Sequence, residues 1–173
     1  MSNVGLIYPW LQSQWQLMQA SLVNHQLPNG LLLQGNKGLG KFDFAFYLAK
    51  TLLCTNEQRQ ACDACASCQL LQAGNHPDLF VLQPEQNSKI IKIDQVRQLS
   101  AQLNQTAQRG GYQVAIIYPA EAMNSAAANA LLKTLEEPPG KVLLILIGHV
   151  TAHMPQTILS RCQKLAFNVV DNQ

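Results

Sequence analysis

The order of apolar and polar positions along the chain predicts helices alternating with strands. Trp10, Leu11, Trp15, Leu17, Met18 and Leu22 form an apolar stripe from Tyr8-Pro9-Trp10 to about Val23, with Gln12, Gln14 and Gln16 on the polar side. His25 to Asn29 reads as a turn. Gly30-Leu31-Leu32-Leu33-Gln34 is a short apolar run, a strand, and a glycine-rich turn carries it into an apolar helix through Leu53. Asp78 to Leu82 is a second strand, and Pro84 to Lys89 a polar, exposed turn. A helix starts at Ile93, with Asp94 near the positive end of its dipole, and runs to about Ala107, where Arg109-Gly110-Gly111 stops it. Tyr112 to Tyr118 is a third strand, apolar apart from Gln113, of the kind expected when both faces are covered. Asn124 or Ser125 caps an Ala-rich helix, Ala126 to Glu136, which ends at Pro138-Pro139 and buries Leu131, Leu132 and Leu135. Val142 to Ile147 is a fourth strand, Pro155 to Ser160 a short helix or turn, and Gln163 to Val169 a fifth strand. Such alternation implies an α/β fold: a parallel five-stranded sheet, right-handed crossovers and helices on both faces.

Composition narrows the classes. At 173 residues, 47% of them apolar, the chain is one α/β domain or one with a small insertion. Charged residues are only 13% and the net charge is +2, which argues against a protein that coats nucleic acid. No apolar run is long enough to span a bilayer, and the N-terminus has no basic region followed by an apolar core. The expected location is therefore the cytoplasm, where cysteines serve metals before disulfides.

Cys54, Cys62, Cys65 and Cys68 interrupt the α/β rhythm in the pattern C-x7-C-x2-C-x2-C. Four thiolates in one short loop suit tetrahedral Zn²⁺ in a structural role, because they leave no open position for water. Metal binding contributes about 10–16 kcal/mol in small zinc peptides, and Thr55 to Gln60 and Asp63 to Ser67 offer little else to bury. The alternatives are four reduced thiols or an iron–sulfur cluster, but ferredoxin spacing wants a further Cys-Pro downstream of Cys68, and none follows. Cys162 stands apart and reads as a small buried residue.

The glycine-rich turn is Gly35-Asn36-Lys37-Gly38-Leu39-Gly40-Lys41-Phe42, nearly the phosphate-binding pattern G-x4-G-K-[ST]. In a working loop the backbone N–H groups and the helix dipole hold the phosphates, and the lysine reaches the outer ones. The last position supplies a hydroxyl to Mg²⁺. Phe42 cannot. Gly35, Gly38, Gly40 and Lys41 thus form a degenerate loop in which ATP and Mg²⁺ are not expected to bind, and Lys41 is either a relic or still holds an anion.

Four separated stretches carry a resemblance. They are the near-P-loop with its cysteine module, Asn75-His76-Pro77-Asp78-Leu79, the run from Asn129-Ala130-Leu131-Leu132-Lys133 through Thr134-Leu135-Glu136-Glu137-Pro138-Pro139, and Met154-Pro155-Gln156-Thr157-Ile158-Leu159-Ser160-Arg161-Cys162-Gln163. Ile93-Asp94-Gln95-Val96-Arg97 also fits. Together they resemble the N-terminal AAA+ module of bacterial DNA polymerase III clamp-loader subunits over nearly the whole chain. Motor subunits of the gamma/tau type end the loop in Ser or Thr and their third strand in Asp-Glu. Phe42, Tyr118 and Pro119 occupy those positions here, and Glu121 comes two residues too late. The pattern is therefore similar to the delta prime branch, which does not hydrolyse ATP and works within the polymerase holoenzyme.

The resemblance implies a set of roles. Arg161 of Ser160-Arg161-Cys162 would be an arginine finger acting in trans on the γ-phosphate bound by a neighbouring subunit, with Ser160 and Cys162 shaping the turn. Its planar fork binds phosphate oxygens bidentately, and the plainer alternative is a surface or intradomain ion pair. Lys133 falls where the family faces DNA, or is a solvated helix lysine. Glu136 and Glu137 end a helix where negative charge is disfavoured, so partners are expected for them. His76 reads as a loop residue, and His149, Thr151 and His153 lie at the family's sensor position without matching it. Implied partners are gamma/tau and delta subunits, and through them the sliding clamp and primed DNA. Lid and collar domains are expected beyond residue 173, which makes the chain an N-terminal fragment. Other readings are an active P-loop ATPase with an atypical Mg²⁺ site and a zinc-dependent nucleic-acid-binding module.

Overall fold

A computed structural model describes residues 7–56, 60–150 and 153–168. A 3₁₀ turn, Pro9–Leu11, leads into α1 (Gln12–Val23), followed by β1 (Gly30–Gln34), α2 (Lys41–Leu53), α3 (Ala66–Gln72), β2 (Leu79–Leu82), α4 (Ile93–Leu103), β3 (Gln113–Ile117), α5 (Ser125–Glu136), β4 (Val142–Gly148), α6 (Gln156–Leu159) and β5 (Gln163–Ala166). The sheet runs β2-β3-β4-β1-β5, and every neighbouring pair is parallel. Parallel pairing requires a crossover between strands, and the helices supply it.

Strand alternation divides the core in two. Leu31, Leu33, Val114, Ile116, Leu143 and Ile145 face α1 and α2, meeting Trp15, Met18, Phe44 and Leu48. Leu32, Ala115, Ile117, Leu144 and Leu146 face α4 and α5, meeting Val96, Leu99, Ala128 and Leu131. The central strands β3 and β4 are buried at every position, the both-faces-covered state that their apolar runs predict. Asn124 caps α5 by accepting the Ala127 N–H at 2.8 Å.

Several boundaries shift. Of the predicted α1 stripe, Leu11, Trp15, Met18 and Leu22 are buried, while Leu17 is 59% and Trp10 46% exposed. The fourth helix stops at Leu103 rather than near Ala107. Buried Asp78 accounts for this, because its carboxylate accepts the N–H groups of Gln108 (2.8 Å) and Arg109 (3.0 Å) and turns the chain back toward β3. α3 was not expected within and after the cysteine segment. The fifth strand ends at Ala166, and Val169 and Thr151 lie outside the described residues. Among the described residues, no helix is long and apolar enough to cross a membrane.

Candidate functional site

The glycine-rich loop sits at the C-terminal end of β1, beside the ends of β4 and β5. Gly40 takes φ +82° immediately before α2, and a Cβ there would lie 2.8 Å from the Tyr8 ring. A Cβ at Gly35 would lie 2.2 Å from the Phe167 carbonyl oxygen. Close backbone packing thus requires glycine at 35, and the left-handed φ beside the Tyr8 ring requires it at 40. Lys41 is 3% exposed, and its Nζ donates to the carbonyls of Gly35 (2.6 Å) and Asn36 (2.5 Å). Burial lowers its pKa, against the opposing pull of Glu121. The ammonium is satisfied by the loop's own carbonyls.

Aromatic rings line the cleft beside the loop. Phe42 meets Tyr118 edge-on at 5.5 Å, and Tyr118 meets His149 at 5.4 Å. Burial and the charge of Lys41 push the His149 pKa down. The carboxylate of Glu121 accepts the N–H groups of His149 (3.0 and 3.2 Å) and Val150 (3.1 Å), closing the end of β4. Tyr8 and Trp10, which the sequence reading did not assign to this site, stack at 4.6 Å over the loop. The Tyr8 hydroxyl donates to Asp43 (2.8 Å), which raises its pKa, and the Trp10 indole N–H donates to the Leu39 carbonyl at 3.4 Å. A cleft of about 350 Å³ remains among Tyr8, Trp10, Lys41, Phe42, Tyr118 and His149.

Arg161 follows α6, on a different part of the surface-forming chain. It is 38% exposed, and its Nη2 lies 2.6 Å from Glu136 Oε1. Nη1 donates to the Thr157 carbonyl at 3.0 Å and to Ser160 Oγ at 3.3 Å. Glu136 thereby gains the partner that its place at the end of α5 calls for. Cys162 is half-buried, its thiol pushed up to about 11 by burial, and a Cβ at Gly30 would come within 3.1 Å of its sulfur.

The Sγ atoms of Cys54, Cys62, Cys65 and Cys68 all lie within 4.8 Å of one another. Cys54 and Cys65 are 3.9 Å apart, and Cys62 and Cys68 4.0 Å. Tetrahedral zinc at Zn–S bonds of 2.3 Å needs sulfurs about 3.8 Å apart, so the donor set fits. Backbone N–H groups point at the sulfurs: those of Ala64 (3.5 Å) and Cys65 (3.2 Å) at Cys62, that of Cys68 (3.4 Å) at Cys65, and that of Asn56 (3.4 Å) at Cys54. Such donors favour thiolate. They lower the Cys62 thiol, whereas burial raises Cys54 and Cys68. Cys65 falls to about 5 because hydrogen bonds from Thr55 and Cys68 outweigh its burial. The four cysteines could hold a zinc ion.

Buried polar contacts that the sequence does not advertise brace this module. Lys50, 1% exposed on α2, pairs with Asp63. Ser67 Oγ accepts from Arg109 Nε at 3.1 Å and lies 3.3 Å from His76 Nε2, and His76 Nδ1 accepts the Asp78 N–H at 3.0 Å. His76 lies in the loop between α3 and β2, as its neighbours Asn75 and Pro77 suggest, but it is 6% exposed and braces that loop. Burial, the main influence, lowers its pKa. Lys133 is exposed on α5 and lines a cleft of about 410 Å³ with Arg97, Ser100 and Asn104 of α4 and its C-cap.

The sequence profile described as "DNA polymerase III, delta subunit" matches residues 10–171. DNA polymerase III subunit delta' of Pseudomonas aeruginosa is 48% identical over 161 residues, covering 92% of this chain and 48% of the relative. The same subunit of Escherichia coli K12 is 38% identical over 157 residues (90% and 47%), and that of Bacillus subtilis 37% over 152 residues (88% and 46%). The chain spans about half the length of these relatives. Among solved structures, a DNA polymerase III gamma subunit-related protein of Thermotoga maritima superposes with TM-score 0.69 at 22% identity, over 90% of this chain and 47% of that one. The Thermotoga maritima RuvB Holliday junction branch migration motor gives TM-score 0.54 at 14% identity, over 91% and 43%. These two likenesses show the shared AAA+ fold. The chain belongs to the DNA polymerase III delta-subunit family, and its curated relatives within that family are delta prime subunits.

Proposed function

We propose that this chain is the N-terminal AAA+ module of a non-catalytic clamp-loader subunit. Its own nucleotide site is a wall, and its contribution to ATP hydrolysis is Arg161, offered in trans to the site of a neighbouring gamma/tau-type motor subunit. In the assembly, which includes a delta subunit, this step serves the loading of a sliding clamp onto primed DNA. The observation that carries the reading is the state of the glycine loop: Lys41 bonded to Gly35 and Asn36, with Phe42 and Tyr118 in aromatic contact where a hydroxyl and an acid are needed. The same contacts weigh against an ATPase with an atypical Mg²⁺ site. Arg161, by contrast, keeps a solvent-accessible guanidinium in its Ser-Arg-Cys setting. Its role is to neutralise charge on the transferring phosphoryl group, worth about 10³–10⁵ in rate in GTPases.

In this reading Cys54, Cys62, Cys65 and Cys68 bind one structural zinc, supported by the sulfur spacing and the N–H donors around it. Lys133, with Arg97 across the α4–α5 cleft, is the DNA-facing candidate. The decisive test uses the full-length subunit assembled with motor subunits of which only the adjoining one can hydrolyse ATP. Arg161→Ala should lower the phosphate-release rate about 10³-fold or more. An unchanged rate would refute the trans role.

A further inference from the structure

Arg161 is held as well as exposed. Its Nη1 donates to the Thr157 carbonyl in the last turn of α6 and to Ser160 Oγ, at 3.0 and 3.3 Å, and its Nη2 meets Glu136 Oε1 at 2.6 Å. The first two acceptors are neutral and local, and they set the direction of the fork. The third is an anion from a different element. The terminal nitrogens of a guanidinium are the ones a phosphate takes bidentately, so carboxylate and phosphate compete for the same edge. Glu136 is also the last residue of α5, where the helix dipole disfavours a negative charge and a cation relieves it. Both groups remain accessible, at 38% and 47% exposure, so a ligand from a neighbouring subunit can reach the pair and part it.

We propose that Glu136 is a resident competitor for Arg161: it holds the guanidinium while the adjoining ATP site is empty and yields it when a phosphate arrives. The proposal rests on the trans-arginine reading above. The carboxylate supplies a counter-charge that spares the subunit interface an unpaired cation in the nucleotide-free state. Engagement of Arg161 then requires an anion that binds better than Glu136 does. A half-exposed ion pair is weak, which suits a contact that is broken and remade in each cycle. Its loss should shift the competition by about two- to five-fold.

The test is an ATP titration of the full-length subunit carrying Glu136→Gln, assembled with motor subunits of which only the adjoining one can hydrolyse ATP. Glutamine keeps the shape and loses the charge. KM for ATP should fall about two- to five-fold while the rate at saturating ATP is unchanged. The difference should fade toward 1 M salt, where screening shortens to about 3 Å. Glu85→Gln, which removes an exposed carboxylate paired with Lys92 before α4, should leave KM where it was. An unchanged KM in Glu136→Gln, or an equal shift in Glu85→Gln, would overturn the proposal. So would a fall in the saturated rate, which would make Glu136 an orienting group instead of a competitor. In an Arg161→Ala background Glu136→Gln should do nothing, and a KM shift there would also overturn it. If Arg161→Ala alone leaves the rate intact, the trans-arginine reading itself has failed, an outcome separable from a silent Glu136→Gln beside an inactive Arg161→Ala.

Discussion

Lys50 carries a charge in a position that α2 buries, 1% exposed, and its counter-ion Asp63 is 55% exposed on the cysteine segment. The asymmetry decides which partner matters. Removing Asp63 leaves a buried ammonium without its anion, whereas replacing Lys50 by an apolar residue of similar length removes charge and desolvation cost together. Breaking fully buried pairs costs about 3–5 kcal/mol. Asp63 is half in water, and water can follow once it is gone, so Asp63→Ala should cost about 2 kcal/mol, below that range. Lys50→Met should stay within about 1 kcal/mol of the parent. Denaturant melts of the two variants check this, and equal losses would mean the ion pair is not what holds the segment. Neither residue is conspicuous in the sequence. Lys50 sits between Ala49 and Thr51 in a helix read as simply apolar, and only the packed structure brings Asp63 to it.

At the scale of elements, α3 is seven residues long and could not stand alone, because helices this short do not repay their nucleation cost. It is held at Ser67, through Arg109 and His76, and at buried Leu71. His76 must be neutral there, since Nδ1 accepts the Asp78 N–H, and burial lowers its pKa accordingly. If zinc joins the sulfurs, chelation should leave the sheet intact while backbone amides of α3 exchange faster. Cys54, Cys62, Cys65 and Cys68 should turn from protected to reactive toward a thiol reagent. Cys162, pushed up to about 11, should stay slow throughout because thiolate is the reactive form. Four thiols reacting equally fast before and after chelation would show that no metal was held. The cysteine spacing was legible because its ligands are close in sequence. The helix that carries Cys68 was not, since its buried residues are few and the C-x2-C pattern reads as loop.

For the whole molecule, apolar runs and glycine punctuation were enough to read five parallel strands and the loop after the first, because those signals are local. The strand order, the Tyr8–Trp10 stack over the loop and the Glu136–Arg161 pair were not legible, since each joins residues that only the folded chain brings together. The same folded arrangement bears on nucleotide binding. To accept a triphosphate, Lys41 must give up two carbonyl bonds, and hydrogen bonds of a charged group are worth about 1.5–3 kcal/mol each. Little is offered to magnesium in return, for Phe42 lacks a hydroxyl, Tyr118 and Pro119 lack carboxylates, Glu121 is engaged by the N–H groups of His149 and Val150, and Asp43, which also lines the cleft, accepts from the Tyr8 hydroxyl. Calorimetric titration with ATP and Mg²⁺ should therefore give no binding heat in the micromolar range. Phe42→Ser should not change this, because it restores one ligand and leaves the acids missing. Micromolar, magnesium-dependent binding by the parent chain would mean that Lys41 exchanges its carbonyl partners for phosphate at little cost, and turnover would then have to be measured on this subunit. Binding gained only in Phe42→Ser would place the whole block on one ring, and the aromatic contacts with Tyr118 would then be the barrier that closed the site.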